Sequence, residues 1–446
     1  MSANVSKQSP FAWSLLLVFL GTAIHLVMGF STELSVDEAH YALYANHLAW
    51  SYFDHPPLVG WIQWPLVAIN APDGILRLIP ITLWIISCFL VYHIADQLDE
   101  YCTHRSLFIK APTPNNPSYA GLAAVAMIVF APLPHVLAVG LVPDSLLTPL
   151  SLGILWISLQ WLKQDGQLSF HQWIGLGLLF GLAGLSKYTA ILYALAFAIA
   201  CLSVPRFTFL RQSGFYIAIA IALLLISPVL LWNAQYDWIS FKYQIDHGSG
   251  GDWLWRRLAA FLGIQLVVFG FLPILGLWAY SRMVGFAKRP FVSILLVFFI
   301  LPFSVFAALS GGGGLPHWTS PAWFCLAPIA GVGLAQWWQS GKHWLITLCL
   351  AVQGTLVVSG LTLVMTAGYP IASQFKTNPL ADLYGWRSAS TRANLLVNEL
   401  KASGIAVQNW TLASRVGWYA KPTPIFVLDD RQDQFDLWFG KLPEGS

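Results

Sequence analysis

The chain has 446 residues, of which 57% are hydrophobic and only 10% charged, where a soluble globular protein carries about 25% charged residues. That shortfall excludes an ordinary water-soluble enzyme and a disordered regulator, and a net charge of +3 without a basic stripe excludes a nucleic-acid binder. The length is spent instead on repeated membrane crossings, and the 15% aromatic content suits interfacial belts.

A crossing needs roughly 20 mostly apolar residues. In chain order, eleven stretches qualify, near 11–30, 74–95, 118–136, 145–162, 171–186, 188–204, 214–233, 258–280, 291–310, 321–338 and 344–366. The fifth and sixth are short and separated only by Ser186-Lys187. With the N-terminus inside, Lys and Arg up to residue 366 divide ten inside to five outside, which orients the chain. The expected fold is an all-α polytopic membrane protein of about eleven transmembrane helices with a small C-terminal soluble α/β domain. Residues 1–366 form the transmembrane catalytic part, with an outer juxtamembrane loop at 31–73. Residues 367–446 form the outer soluble part, with a helix over 388–402 and strands at Ile405–Leu412 and Pro424–Leu428. Four of the five cysteines fall in spans and Cys102 falls inside, so no outer disulfide and no CxxC site is expected.

Acidic residues gather on the outer side, where they have no role in setting topology. The first outer loop is the richest: Glu33-Leu-Ser-Val-Asp37-Glu38-Ala-His40-Tyr41, then Tyr52-Phe53-Asp54-His55-Pro56-Pro57-Leu58. Residues 36–50 have helical spacing, and Ser35 with Glu38 fits a capping box, which gives Glu38 a structural reading beside a catalytic one. Asp37 is not needed for the cap. A carboxylate just beyond a span suits a general base, although an acid in a first helical turn also complements the helix dipole. The two prolines stiffen the Asp54-His55 pair, or merely end a loop.

Further polar outliers fall on the same side: Pro143-Asp144 between spans three and four, Lys187-Tyr188 between spans five and six, Asp246-His247 after span seven, Arg256-Arg257, a Gly311–Gly314 run and Pro316-His317-Trp318. Singly these suit snorkelling or capping. Jointly they suit a site for a lipid donor with a phosphate head. Lys187 and Arg256 or Arg257 would neutralise the phosphate, Asp37 would serve as base, and the glycine run reads as a hinge over the site. No nucleotide-binding loop is present, consistent with a donor that needs none.

These motifs resemble the polyprenyl-phosphate-dependent C-class glycosyltransferases, in the bacterial branch that spans protein mannosyltransferases and the lipid A aminoarabinose transferase. The likeness rests on Asp37-Glu38 in DEAHYALYANHLAW, YFDHPPL at Tyr52–Leu58, the Pro143-Asp144 turn, SKYTA at Ser186–Ala190, His247 and Pro316–Trp318. The resemblance implies an inverting transfer of a monosaccharide from an undecaprenyl-phosphate-like donor to an envelope acceptor such as lipid A or lipopolysaccharide, protein or glycan. The reaction would take place at the periplasmic face of the inner membrane. It implies Asp37, Glu38 and Asp144 as catalytic positions, and Tyr52, His55, Lys187, Tyr188, Arg256, Arg257 and His317 as substrate-binding ones. It places a divalent metal, if one is bound, at Asp54 and His247, while the reaction itself requires no cofactor. The alternatives are a lipid-linked sugar transporter, which would set its charges at mid-membrane on paired repeats, and a non-catalytic envelope assembly subunit.

Overall fold

A computed structural model describes residues 9–104, 108, 118–202, 205–249, 252–282, 294–311, 313–369, 371–374, 378, 380 and 383–442, by backbone alone at 205–207, 247–249, 372 and 373. The fold is overwhelmingly helical. Among the described residues five helices are long and apolar enough for one crossing each: Pro10–Ser31, Asp73–His104 (broken only at its start), Pro143–Lys163, Ser213–Gln235 and His343–Met365. These coincide with five of the eleven expected spans.

The other expected spans are less regular. Ala120–Val129 and Pro132–Val139 meet at 73°, and Trp255–Phe269 and Leu272–Tyr280 at 91°. The breaks are written in the sequence: Pro132 and Pro273 cannot continue an amide ladder, and Gly270 takes φ +80°, open to glycine alone at little cost. Phe170–Ser186, Tyr188–Leu202 and Ile294–Ser310 are shorter apolar helices. Ser320–Gln339 is buried along most of its length and packs against the Leu78–His104, Ala120–Val129, Pro143–Lys163 and Leu272–Tyr280 helices, which makes it the centre of the bundle. Many apolar side chains on the outer helices stay exposed, among them Leu224, Leu231 and Val358, as lipid-facing surface requires. The chain is a multi-pass membrane protein.

Beyond one end of the bundle, Val36–Asn46 and the short turns to Leu76 pack against the C-terminal segment. That segment runs Trp386–Leu400 (helix), Ile405–Val407 (strand), Trp410–Tyr419 (helix), Ile425–Val427 (strand) and Gln434–Phe439 (helix). The strands are parallel, with Ile405 opposite Ile425 and Val407 opposite Val427. The first strand is shorter than its apolar stretch, because Asn409 caps the next helix by accepting from the Leu412 amide at 3.1 Å. One apolar core, including Leu34, Ala42, Leu43, Trp418, Ile425 and Phe435, joins the loop to the segment. Polar ties reinforce it: Asp73 accepts from Trp418 Nε1 (3.0 Å), Tyr419 Oη (2.8 Å) and Arg387 Nη2 (2.7 Å).

Candidate active site

Where bundle and loop meet, a cavity of about 550 Å³ opens. Its wall includes Asp37, His40 and Tyr41 of the first loop helix, Asp54 and His55 of the proline-stiffened turn, Lys187 and Tyr188 at a helix break, and His317 and Trp318. Residues far apart in sequence therefore share one space, and Asp37 and Lys187 stand in the same wall.

Helical geometry separates Asp37 from Glu38. Consecutive helix positions point about 100° apart, so Asp37, His40 and Tyr41 face the cavity while Glu38 turns into the protein. Glu38 Oε1 accepts from Arg77 Nε at 2.7 Å, and Oε2 accepts from Arg77 Nη2 and from the Ser35 amide, both at 3.0 Å. Arg77 further ties Gly29, Thr32 and Glu33. The expectation of a catalytic Glu38 is therefore corrected: both its oxygens are engaged in holding the loop helix to the bundle. Tyr52 is corrected likewise. It is fully buried, stacked on Tyr44 at 3.6 Å, and its hydroxyl donates to the Tyr44 carbonyl at 2.7 Å.

Asp54 is anchored from several sides. Tyr44 Oη donates to its Oδ1, His40 Nε2 lies 3.7 Å from its Oδ2, and Gln244 donates to its carbonyl. His40 Nδ1 in turn meets Ser414 Oγ at 3.0 Å. That hydroxyl already donates to Trp410, so the imidazole is the donor. Burial alone would raise the Asp54 carboxyl; its bond to His40, the His40 and His55 charges and the Tyr44 bond outweigh burial and hold it well below the usual carboxylate range. Burial raises the Tyr41 and Tyr44 hydroxyls, and the surrounding carboxylates add to the effect.

Lys187 sits where the Phe170–Ser186 helix ends, at φ −156°, ψ 140°. Its ammonium donates to both oxygens of Asp144, at 2.8 and 2.7 Å, and each side chain is at most 7% exposed. Asp144 lies behind the wall, at the start of the Pro143–Lys163 helix, with His317 Nε2 3.8 Å from Oδ2. Gln265 fixes the histidine turn by donating to the Pro316 carbonyl (3.1 Å) and accepting from Thr319 (2.6 Å) and Trp323 (2.8 Å). Burial pushes His317 down to about 4, against the pull of Asp144. Burial does the same to His55, also to about 4, although Asp54 opposes it. Both imidazoles are therefore neutral near pH 7.

Arg256 and Arg257 are exposed and absent from the cavity wall, which corrects their assignment to the donor. They open the Trp255–Phe269 helix. The backbone of His247 lies on the Ile239–Ser249 helix, and its side chain is outside the described residues. Among the described residues no group of three His, Cys, Asp or Glu side chains could hold a metal ion. Asp54, the expected ligand, has its Oδ1 engaged by Tyr44. Gly311 packs so tightly on the Trp253 indole that a Cβ has no room, a packing reason for a glycine where a hinge was expected.

Sequence reasoning missed the contribution of the C-terminal segment. Trp410, Arg431, Asp433 and Gln434 also stand in the wall, and Gln434 Oε1 accepts from the Phe53 amide at 2.7 Å. The DQFD pattern, in which Asp433 caps a helix by accepting from the Phe435 amide at 2.8 Å, was the only local hint of order there.

Residues 54–232 match the family described as dolichyl-phosphate-mannose-protein mannosyltransferase. A lipid A galacturonosyltransferase, RgtD, of Rhizobium johnstonii is 25% identical over 347 residues, covering 75% of this chain and 68% of that one. Crystal structures of ArnT from Cupriavidus metallidurans share the fold. The form bound to undecaprenyl phosphate aligns with a TM-score of 0.62 at 15% identity, over 98% of this chain and 88% of that one. The apo form gives 0.56 at 17%, over 92% and 74%. These findings give the chain the membrane fold of ArnT and a partial match, over residues 54–232, to the mannosyltransferase family.

Proposed function

We propose that the enzyme transfers one sugar from a polyprenyl-phosphate carrier, of the undecaprenyl type, to lipid A or a similar envelope glycolipid. The reaction is a single inverting displacement at the periplasmic face of the inner membrane. The observation that carries this reading is the adjacency of two cavities. The polar cavity shares Tyr188, Ile191 and Phe241 with an apolar cavity of about 740 Å³ between the Phe170–Ser186, Ile191–Leu202 and Ser213–Gln235 helices. A donor with an isoprenoid tail and a phosphate-linked sugar needs that pairing of an oily channel and a polar chamber. The names of the relatives, a lipid A galacturonosyltransferase and a protein bound to undecaprenyl phosphate, support donor and acceptor class. The Lys/Arg bias supports the orientation, with residues 367–446 as an outer domain over the chamber.

In this reading Asp37 takes the proton of the acceptor hydroxyl as its oxygen attacks the anomeric carbon. The bond from that carbon to the phosphate oxygen breaks, and both electrons leave with the phosphate. Lys187, steadied by Asp144, and the neutral His55 and His317 offer hydrogen bonds to the departing group. Purified enzyme given a radiolabelled polyprenyl-phosphate sugar and lipid A should move the label to lipid A with inverted anomeric configuration. Label that moves only from a nucleotide sugar, or not at all, contradicts the proposal.

A further inference from the structure

Among the described residues the chamber wall is short of available positive charge for a phosphate ligand. Asp37, Asp54 and Asp433 stand in it. Lys187 stands there too, but its ammonium is shared with both oxygens of Asp144, so that pair is close to neutral. One further cation lines the wall, Arg431, and among the described residues no carboxylate pairs with its guanidinium.

Arg431 is exposed at the rim and lies against Tyr243. Its guanidinium lies 5.9 Å from the Tyr243 ring centre. Its backbone amide donates to Asp429 at 3.2 Å. Three residues on, Gln434 clasps the Phe53 amide, next to Asp54. A planar guanidinium held at the mouth of a chamber is suited to two parallel hydrogen bonds with a phosphate.

We infer that Arg431, steadied by Tyr243, binds the phosphate of the lipid-linked donor, so that the C-terminal segment completes the donor site. This rests on the polyprenyl-phosphate reading above. Arg431 holds the phosphate before and after the sugar leaves. It therefore acts on donor affinity more than on the chemical step.

The test uses the full chain in detergent micelles, with C55 polyprenyl phosphate and the uncharged C55 polyprenol as probes. Arg431→Gln should weaken polyprenyl-phosphate binding about tenfold, the scale of a charge-assisted contact at an exposed rim, and leave polyprenol binding unchanged. Arg431→Lys should recover part of the loss, and in turnover Arg431→Gln should raise KM for the donor more than it lowers kcat. Wild-type binding of polyprenyl phosphate by Arg431→Gln overturns the inference, including the case in which only the sugar-bearing donor is bound more weakly. A wild-type enzyme that does not prefer the phosphate to the alcohol overturns the donor reading itself.

Discussion

The Asp144–Lys187 pair makes a sharp energetic prediction. Both side chains are nearly inaccessible, 2% and 7% exposed, and the ammonium sits 2.7 and 2.8 Å from the two carboxylate oxygens. Asp144→Asn would leave a buried ammonium without its counter-charge, and Lys187→Met a buried carboxylate. Each change should cost about 3–5 kcal/mol. The double substitution removes both charges, so it should recover most of that cost, with a coupling energy of about 3 kcal/mol or more. His317, 3.8 Å from Asp144, can take up a proton to compensate in Lys187→Met, so that variant should regain stability on mild acidification. Unfolding would be followed by tryptophan fluorescence as SDS is titrated into mixed micelles. The double variant should be folded yet inactive, because the chamber has lost its ammonium. Strictly additive losses in the two single variants would refute the coupling, and full activity in the double variant would refute any role for Lys187 in transfer.

Glu38→Gln, one residue from the proposed base, should destabilise the protein by about 3–5 kcal/mol through the orphaned Arg77, while the surviving folded enzyme keeps wild-type kcat; a denaturation curve and single-turnover kinetics separate the two effects. Arg256→Ala and Arg257→Ala should leave donor KM within about twofold of wild type, since surface charges outside the site contribute little. His55 and His317 titrate near 4 in the folded protein against 6.5 when unfolded, so the unfolded chain binds more protons between those values. Stability should therefore be unaffected by these groups above about pH 6.5 and fall as pH drops toward 4, by at most about 1.4 kcal/mol per pH unit for each histidine. His55→Gln and His317→Gln should each flatten that slope in pH-dependent melting curves.

Much of the candidate site was legible in the sequence because its residues lie in compact motifs. The Asp37-Glu38 pair, the Asp54-His55 turn, Asp144, Lys187 and His317 all sit where an apolar run breaks, and an ionisable residue at a break stands out. The partition of roles between neighbours was not legible. Glu38 is claimed by Arg77, 39 positions away, and nothing local announces that partner. Tyr52 and Tyr188 look alike as tyrosines in polar segments, yet one is packed under Tyr44 and the other lines both cavities. Arg256-Arg257 was the obvious basic pair, but both side chains are exposed and neither lines the chamber. Arg431 lay in the acidic run Asp429–Asp433, which reads as a solvated loop until the long-range clasp of Gln434 on Phe53 brings it to the rim.

In the proposed reaction Asp37 activates the acceptor, in a chamber that binds a lipid-linked donor independently of that carboxylate. Asp37→Asn should bind C55 polyprenyl phosphate as tightly as wild type and unfold at the same detergent concentration. Sugar transfer to lipid A should fall by about a hundredfold or more, the scale of losing a positioned general base. Transfer within a few fold of wild type in a correctly folded Asp37→Asn enzyme would contradict it.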